Sequence, residues 1–104
     1  MSRMVVIYNT PADSAAFDRH YFSTHVALAK QLPGLIRYEV SRGPVVGRMA
    51  GSAPYMIATL HFASMQAMQQ AFASEVGQAC AADRRVFAPN DTDLTMLLFD
   101  AETL

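Results

Sequence analysis

His25 and Tyr21 are the side chains of this 104-residue chain best suited to moving a proton. They lie in Phe17-Asp-Arg-His-Tyr21-Phe-Ser-Thr-His25, four residues apart, so on a helix the two rings share one wall. An imidazole that titrates near neutrality takes a proton from a carbon acid, and a neighbouring phenol stabilises the enolate that forms. At about 100° per residue, Phe17, Tyr21, Leu28 and Leu32 fall within roughly 60° of one another, with His25 on the shoulder of that arc beside Ala29. Arg19, Ser23 and Lys30 fall opposite. The other reading of His25 is a core histidine bonded to a backbone carbonyl, and the residues leave both open.

Further candidates surround this pair. His61 shares alternate strand positions with Tyr55, Ile57 and Thr59, a mixture that suits a pocket wall or, equally, a sheet rim. Tyr8 and Tyr38 line the cleft or are ordinary half-buried strand tyrosines, and Phe17 adds apolar wall. His20, about 140° from His25 around a regular helix, reads as solvated surface. Arg37 and Glu39, on the polar side of their strand, orient a substrate carboxylate or, the favoured reading, form an ion pair at a dimer rim, and Asp83 with Arg84 reads as a local cap and pair. Cys80, between Ala79 and Ala81, reads as a packed thiol. It is the single cysteine, so no disulfide forms within the chain. Three histidines and one cysteine show no metal-ligand spacing, so no metal site is expected. No P-loop, Gly-x-Gly-x-x-Gly, nucleophile elbow or CxxC is present, and no cofactor is expected.

The elements that must position these groups follow from pattern. Met4 to Asn9 is a strand, ended by Thr10-Pro11. Asp13 caps a helix predicted to run to about Leu32, where Pro33-Gly34 stops it. Leu35 to Val45 alternates as a strand, and a Gly- and Pro-punctuated connection follows through Pro54. Tyr55 to Phe62 is a third strand. Ser64 caps a second helix carrying Met65, Met68, Phe72 and Val76, with Gly77 expected to interrupt it, and Gln78 to Phe87 adds further turns. Thr92 to Phe99 is the last strand. Strand-helix-strand-strand-helix-strand with right-handed crossovers gives a four-stranded antiparallel sheet with both helices on one face, a ferredoxin-like α+β fold.

One domain is expected across residues 1–104. The strands are apolar on both faces: Met4, Val6 and Tyr8 against Val5 and Ile7, and Met96 and Leu98 against Leu97 and Phe99. Helices cover one face only, so a second copy packed sheet to sheet is the expected cover for the other. Hydrophobic residues make up 52% of the chain, which excludes disorder and adds to the case for association. The net charge is −1, from 8 basic and 9 acidic residues scattered singly, so no nucleic-acid footprint is present. No apolar run approaches a membrane span or a signal peptide, and a cytoplasmic location is expected.

With those elements in place the chain resembles the EthD family of dimeric α+β-barrel proteins. The resemblance rests on Phe17-x-x-x-Tyr21-x-x-x-His25, Leu32-Pro33-Gly34-Leu35-x-x-Tyr38, Ser64 at the second helix, and Ala82-Asp83 with Phe87 before the last strand. It implies two ferredoxin-like protomers sharing a barrel, each with a cleft between helices and sheet. Relatives of that architecture include cofactor-free monooxygenases, muconolactone isomerases and aldol-type polyketide cyclases, and the fold alone does not choose among them. The expectation is a homodimer holding a small hydrophobic metabolite, with cofactor-free acid/base chemistry of isomerase, cyclase or lyase type at His25 and Tyr21. The alternatives are a monooxygenase-like protein or accessory of an oxidative pathway, and a non-catalytic ligand-binding module.

Overall fold

The computed structural model describes residues 1–104. Four strands, β1 (Ser2–Tyr8), β2 (Arg37–Val40), β3 (Met56–Phe62) and β4 (Leu94–Asp100), form one antiparallel sheet in the order β2-β3-β1-β4. The two apolar central strands set the register, with Val6 opposite both Ala58 of β3 and Met96 of β4. A two-residue period separates their side chains: Met4, Val6, Tyr8, Met56, Ala58, Leu60 and Phe62 are buried beneath the helices, while Val5, Ile7, Ile57 and Thr59 face away. The α+β arrangement read from the sequence is the one observed.

The first helical segment begins where predicted. Asp13 accepts a hydrogen bond from the Ala16 N–H (3.0 Å), an N-cap worth about 1 kcal/mol. Its interior differs from the regular helix predicted to Leu32. After α1 (Ser14–His20) the chain makes a π-helical turn over Tyr21–His25, closed by the Val26 N–H on the Tyr21 carbonyl, before α2 (Val26–Ala29). Ser23 donates its hydroxyl to the Arg19 carbonyl within this stretch, a side-chain bond that competes with the regular ladder. Tight turn bonds carry the chain from Ala29 to Leu32, and Gly34 then reverses it with φ +78°, a left-handed conformation suited to glycine.

The second helical layer is also broken in an unpredicted place. Ser64 caps α3 (Met65–Ala73) as expected, accepting from the Ala67 N–H. The interruption falls at Ser74, not Gly77. Ser74 leaves the helical region (ψ 167°) and caps α4 (Glu75–Phe87) by accepting from the Gly77 N–H at 3.1 Å. Gly77 is helical, and a Cβ there would lie 2.4 Å from both the Ala71 carbonyl oxygen and the Phe72 Cα. It is glycine because two backbones meet at that point.

Strand β4 is an edge strand that the helices leave largely open. Met96 and Leu98 point to the helix side yet are nearly half exposed, and on the opposite face Leu97 and Phe99 are 47% and 42% exposed. Arg3 of β1, on that same outer face, has its Nη1 sealed from solvent without a hydrogen-bond partner. No helix is long and apolar enough to cross a membrane.

Gly77→Ala is expected to lower folding stability by about 1–3 kcal/mol, because the added methyl meets backbone that cannot move aside as a side chain would. Chemical denaturation of the purified variant checks this, and an unchanged midpoint would contradict the close approach.

Candidate active site

A cavity of about 430 Å³ lies between the sheet and the helices, within the size range of small-molecule sites. Met4, Val6, Leu60, Met68, Phe72 and Leu98 give it an apolar lining, and the uncovered side of β4 forms part of its wall. Into this apolar space project His25 and Tyr21 from the π turn, Tyr8 from β1, Tyr38 from β2, and Arg84 from α4.

The π turn decides what His25 touches. Residues five apart lie about 140° apart on a regular α-helix, which would turn His20 away from His25. The extra residue of the wider turn brings both rings to α4, where they bracket one carboxylate. His20 Nε2 lies 2.8 Å from Asp83 Oδ1, and His25 Nδ1 lies 2.9 Å from Asp83 Oδ2. His20 is therefore a structural partner and not a solvated surface group. Asp83, expected to pair locally with Arg84, is committed to the two histidines.

The electrostatics of this trio are set by burial and by those bonds. Burial pushes the His25 pKa below 6.5; the hydrogen bond and charge of Asp83 oppose the shift without reversing it. Burial raises the Asp83 carboxyl, but the bonds from His20 and His25 outweigh it and hold the group below 3.8. At neutral pH the imidazole of His25 is thus neutral and the carboxylate ionised. An ionised carboxylate only accepts, so Nδ1–H donates to it and the lone pair resides on Nε2. Nε2 has no protein partner and is not sealed. The ring is held between Tyr21 (centroids 5.3 Å apart) and Phe87 (4.8 Å, edge-on), which fixes its plane.

The phenols form a second polar group. The Tyr21 and Tyr38 hydroxyls are 2.5 Å apart, so one donates to the other and a single proton of the pair is left for a third acceptor. Burial raises all three phenols, Tyr38 to about 12, and Tyr21 and Tyr8 well above the ordinary tyrosine value. They are hydrogen-bond donors at any physiological pH. A base with a free lone pair beside protonated phenols is the equipment for abstracting a proton and holding the oxyanion it leaves.

Not every residue singled out from sequence is in the cavity. His25, Tyr21, Tyr8 and Tyr38 line it. Phe17 stands behind, stacked on Tyr21 (5.7 Å, 6°) and edge-on to Tyr8, so it supports the wall without forming it. Tyr55 precedes β3 and does not follow the alternation of that strand: its ring meets Phe17 and its hydroxyl donates to Asp18. His61 lies on the opposite face of the sheet, with Nε2 2.9 Å from Glu39 Oε1, so Glu39 pairs with His61 in place of Arg37. Sequence reasoning missed the roles of His20, Asp83 and Arg84. The available signal was two histidines five apart facing a helix with one acid, Asp83, beyond its first turn.

No group of three or more His, Cys, Asp or Glu side chains is arranged to hold a metal ion. Cys80 is free and buried on the cavity wall, and burial raises its thiol, which keeps it protonated.

A model of the EthD domain matches residues 9–91. An uncharacterized 11.0 kDa protein in the thcB-thcC intergenic region of Rhodococcus erythropolis is 43% identical over 104 residues, covering 100% of this chain and 98% of that protein. The crystal structure of an ethyl tert-butyl ether d (EthD) family protein from Bacillus halodurans has a TM-score of 0.85 at 32% identity, covering 98% and 99% of the two chains. More distant structures share the fold. SnoaB, a cofactor-independent oxygenase from Streptomyces nogalater, has a TM-score of 0.68 at 17% identity and covers 99% and 94%. A dimeric ferredoxin-like protein from Thermobifida fusca has a TM-score of 0.68 at 15% identity and covers 96% and 90%.

The depressed His25 pKa makes a signed prediction. The unfolded chain titrates this ring near 6.5 and the folded chain lower, so between those values the unfolded state binds more protons. Stability therefore falls as the pH drops from about 6.5 through the folded value, and His25→Asn removes that part of the loss. In NMR titrations Asp83→Asn is expected to lower the His25 pKa further, because Asp83 is the group opposing burial; a rise would contradict the assignment.

Proposed function

The chain belongs to the EthD family, and from that premise we propose that it is a homodimeric protein whose cavity binds a small apolar carbonyl compound and moves its proton without a cofactor. One observation carries this reading: His25 has one nitrogen fixed on Asp83 and the other unpartnered on the wall of an apolar cavity. In the proposed step Nε2 takes a proton from the carbon next to the carbonyl. Charge collects on the carbonyl oxygen, where the free proton of the Tyr21–Tyr38 pair meets it. Asp83 holds the tautomer and balances the imidazolium, and His20 holds Asp83. Returning the proton to a different atom gives isomerisation; closing or breaking a carbon–carbon bond from the same enolate gives cyclase or lyase chemistry.

An oxidative outcome begins with the same step, since an enolate is the electron-rich species that reacts with O₂. The likeness to a cofactor-independent oxygenase is what favours keeping this second reading. Oxygen uptake during turnover separates the two.

The proposed dimer buries the outer face of the sheet. Leu97 and Phe99, both over 40% exposed, lie with Val5 and Ile7 on a surface that helices do not cover, and Arg3 Nη1 lacks an acceptor there. A fold-sharing protein described as dimeric supports a second copy as the cover.

Two outcomes are expected. Against a library of small enolisable carbonyl compounds, His25→Ala is expected to lower kcat by about 10²–10⁴ with binding retained. Equal turnover by the variant would remove His25 from the chemistry, and tight binding without turnover by either protein would favour a binding module. In sedimentation velocity the native chain is expected to run as a dimer and Phe99→Asp as a folded monomer; a native monomer would contradict the sheet-to-sheet assembly.

A further inference from the structure

Arg84 is the only permanently charged side chain on the cavity wall, and nothing in the protein neutralises it. The ion pairs of the structure are His20 and His25 with Asp83 and His61 with Glu39, so no carboxylate lies within 4 Å of the guanidinium. Asp83, its neighbour in sequence, has one oxygen on each histidine and forms no ion pair with Arg84. Arg84 is nevertheless held in place: its Nη1 donates to the Ala88 carbonyl, one turn along α4, at 3.0 Å. Its charge reaches the Tyr8 phenol, where it opposes the upward effect of burial. A tethered, half-buried cation without a counter-ion, on an apolar wall beside phenol donors, is placed to meet an anionic group of a bound ligand.

We infer that the cavity binds its ligand as a delocalised oxyanion, and that Arg84 supplies the counter-charge. This rests on the proposed role of His25 as the base. The class of ligand is accordingly narrower than a simple ketone: an enolisable 1,3-dicarbonyl compound or a phenol, whose anion spreads over oxygen and an apolar ring or chain. The proton balance is direct. The ligand O–H or C–H bond breaks, an N–H bond forms at His25 Nε2, and the electron pair stays on the ligand, conjugated to its oxygen. Two charge pairs result: imidazolium with Asp83, and ligand oxyanion with Arg84. Neither partner changes oxidation state.

The test uses 4-nitrophenol, whose neutral and ionised forms absorb at separate wavelengths, added to the full chain at a pH below the probe's own pKa. 4-Nitroanisole, of similar shape but with no acidic proton, reports whether the cavity is intact. The native protein is expected to bind 4-nitrophenol in its ionised form. Arg84→Met is expected to lose about tenfold or more in affinity for the ionised probe while binding 4-nitroanisole unchanged. Arg84→Lys, which keeps the charge, is expected to recover part of the loss. Binding of the neutral phenol by the native protein, no binding at all, or equal phenolate affinity in Arg84→Met would each overturn the inference. His25→Asn separates it from the reading beneath it. If that variant loses the phenolate while Arg84→Met keeps it, the base stands and the anion site falls. If the phenolate persists without His25 but not without Arg84, the anion site stands and the base falls.

Discussion

Everything at this site depends on one carboxylate held between two imidazoles. Asp83 faces His25 at 2.9 Å and His20 at 2.8 Å, and each contact fixes a different degree of freedom. The first selects the tautomer that leaves Nε2 bare. The second fixes the other carboxylate oxygen, so Asp83 is anchored on both sides. Arg84, with no carboxylate within ion-pair reach, leaves one positive charge on a cavity wall that also carries the neutral His25 imidazole. Imidazole, guanidinium and phenols line the same apolar space, and the Asp83 bridge fixes the first of them.

That bridge exists because of a local irregularity. A regular α-helix through Tyr21–His25 would carry His20 away from α4 and leave Asp83 with one histidine. The π turn spends one extra residue and brings positions five apart onto one side. Such turns are frequent at functional sites because they re-aim side chains without ending the helix. Here the re-aimed pair is the buried histidine and a partner that is 28% exposed, so the trio runs from the cavity wall to the protein surface.

Sequence reading located much of this. Capping by Asp13 and Ser64, the two-residue alternation of β1 and β3, and the Pro33-Gly34 stop are local signals, and the matching features appear close to where they predict. The membership of Tyr8, Tyr21, His25 and Tyr38 in one cavity was also legible, since helical and strand periodicities aim them at the same layer. What was illegible depended on exceptions to those periods. Angular bookkeeping at a regular pitch misplaces His20. Alternation carried back one residue before the start of β3 misplaces Tyr55. For His61 the period was right and the destination wrong: it faces the outer side of the sheet with Glu39. Gly77 looked like a helix breaker because glycine has low helix propensity, yet its reason for being there is contact with a neighbouring backbone that no local pattern encodes.

The measurement closest to the heart of this structure is the tautomer of His25, read by long-range ¹H–¹⁵N correlation NMR of the imidazole nitrogens at neutral pH. A neutral ring protonated at Nδ1, with a bare Nε2 whose signal changes when Asp83 is replaced by Asn, is the predicted result. A proton on Nε2, or a ring charged at that pH, would mean that the nitrogen left free by Asp83 is a donor and not a base. The proton-transfer chemistry assigned to this site would then be wrong.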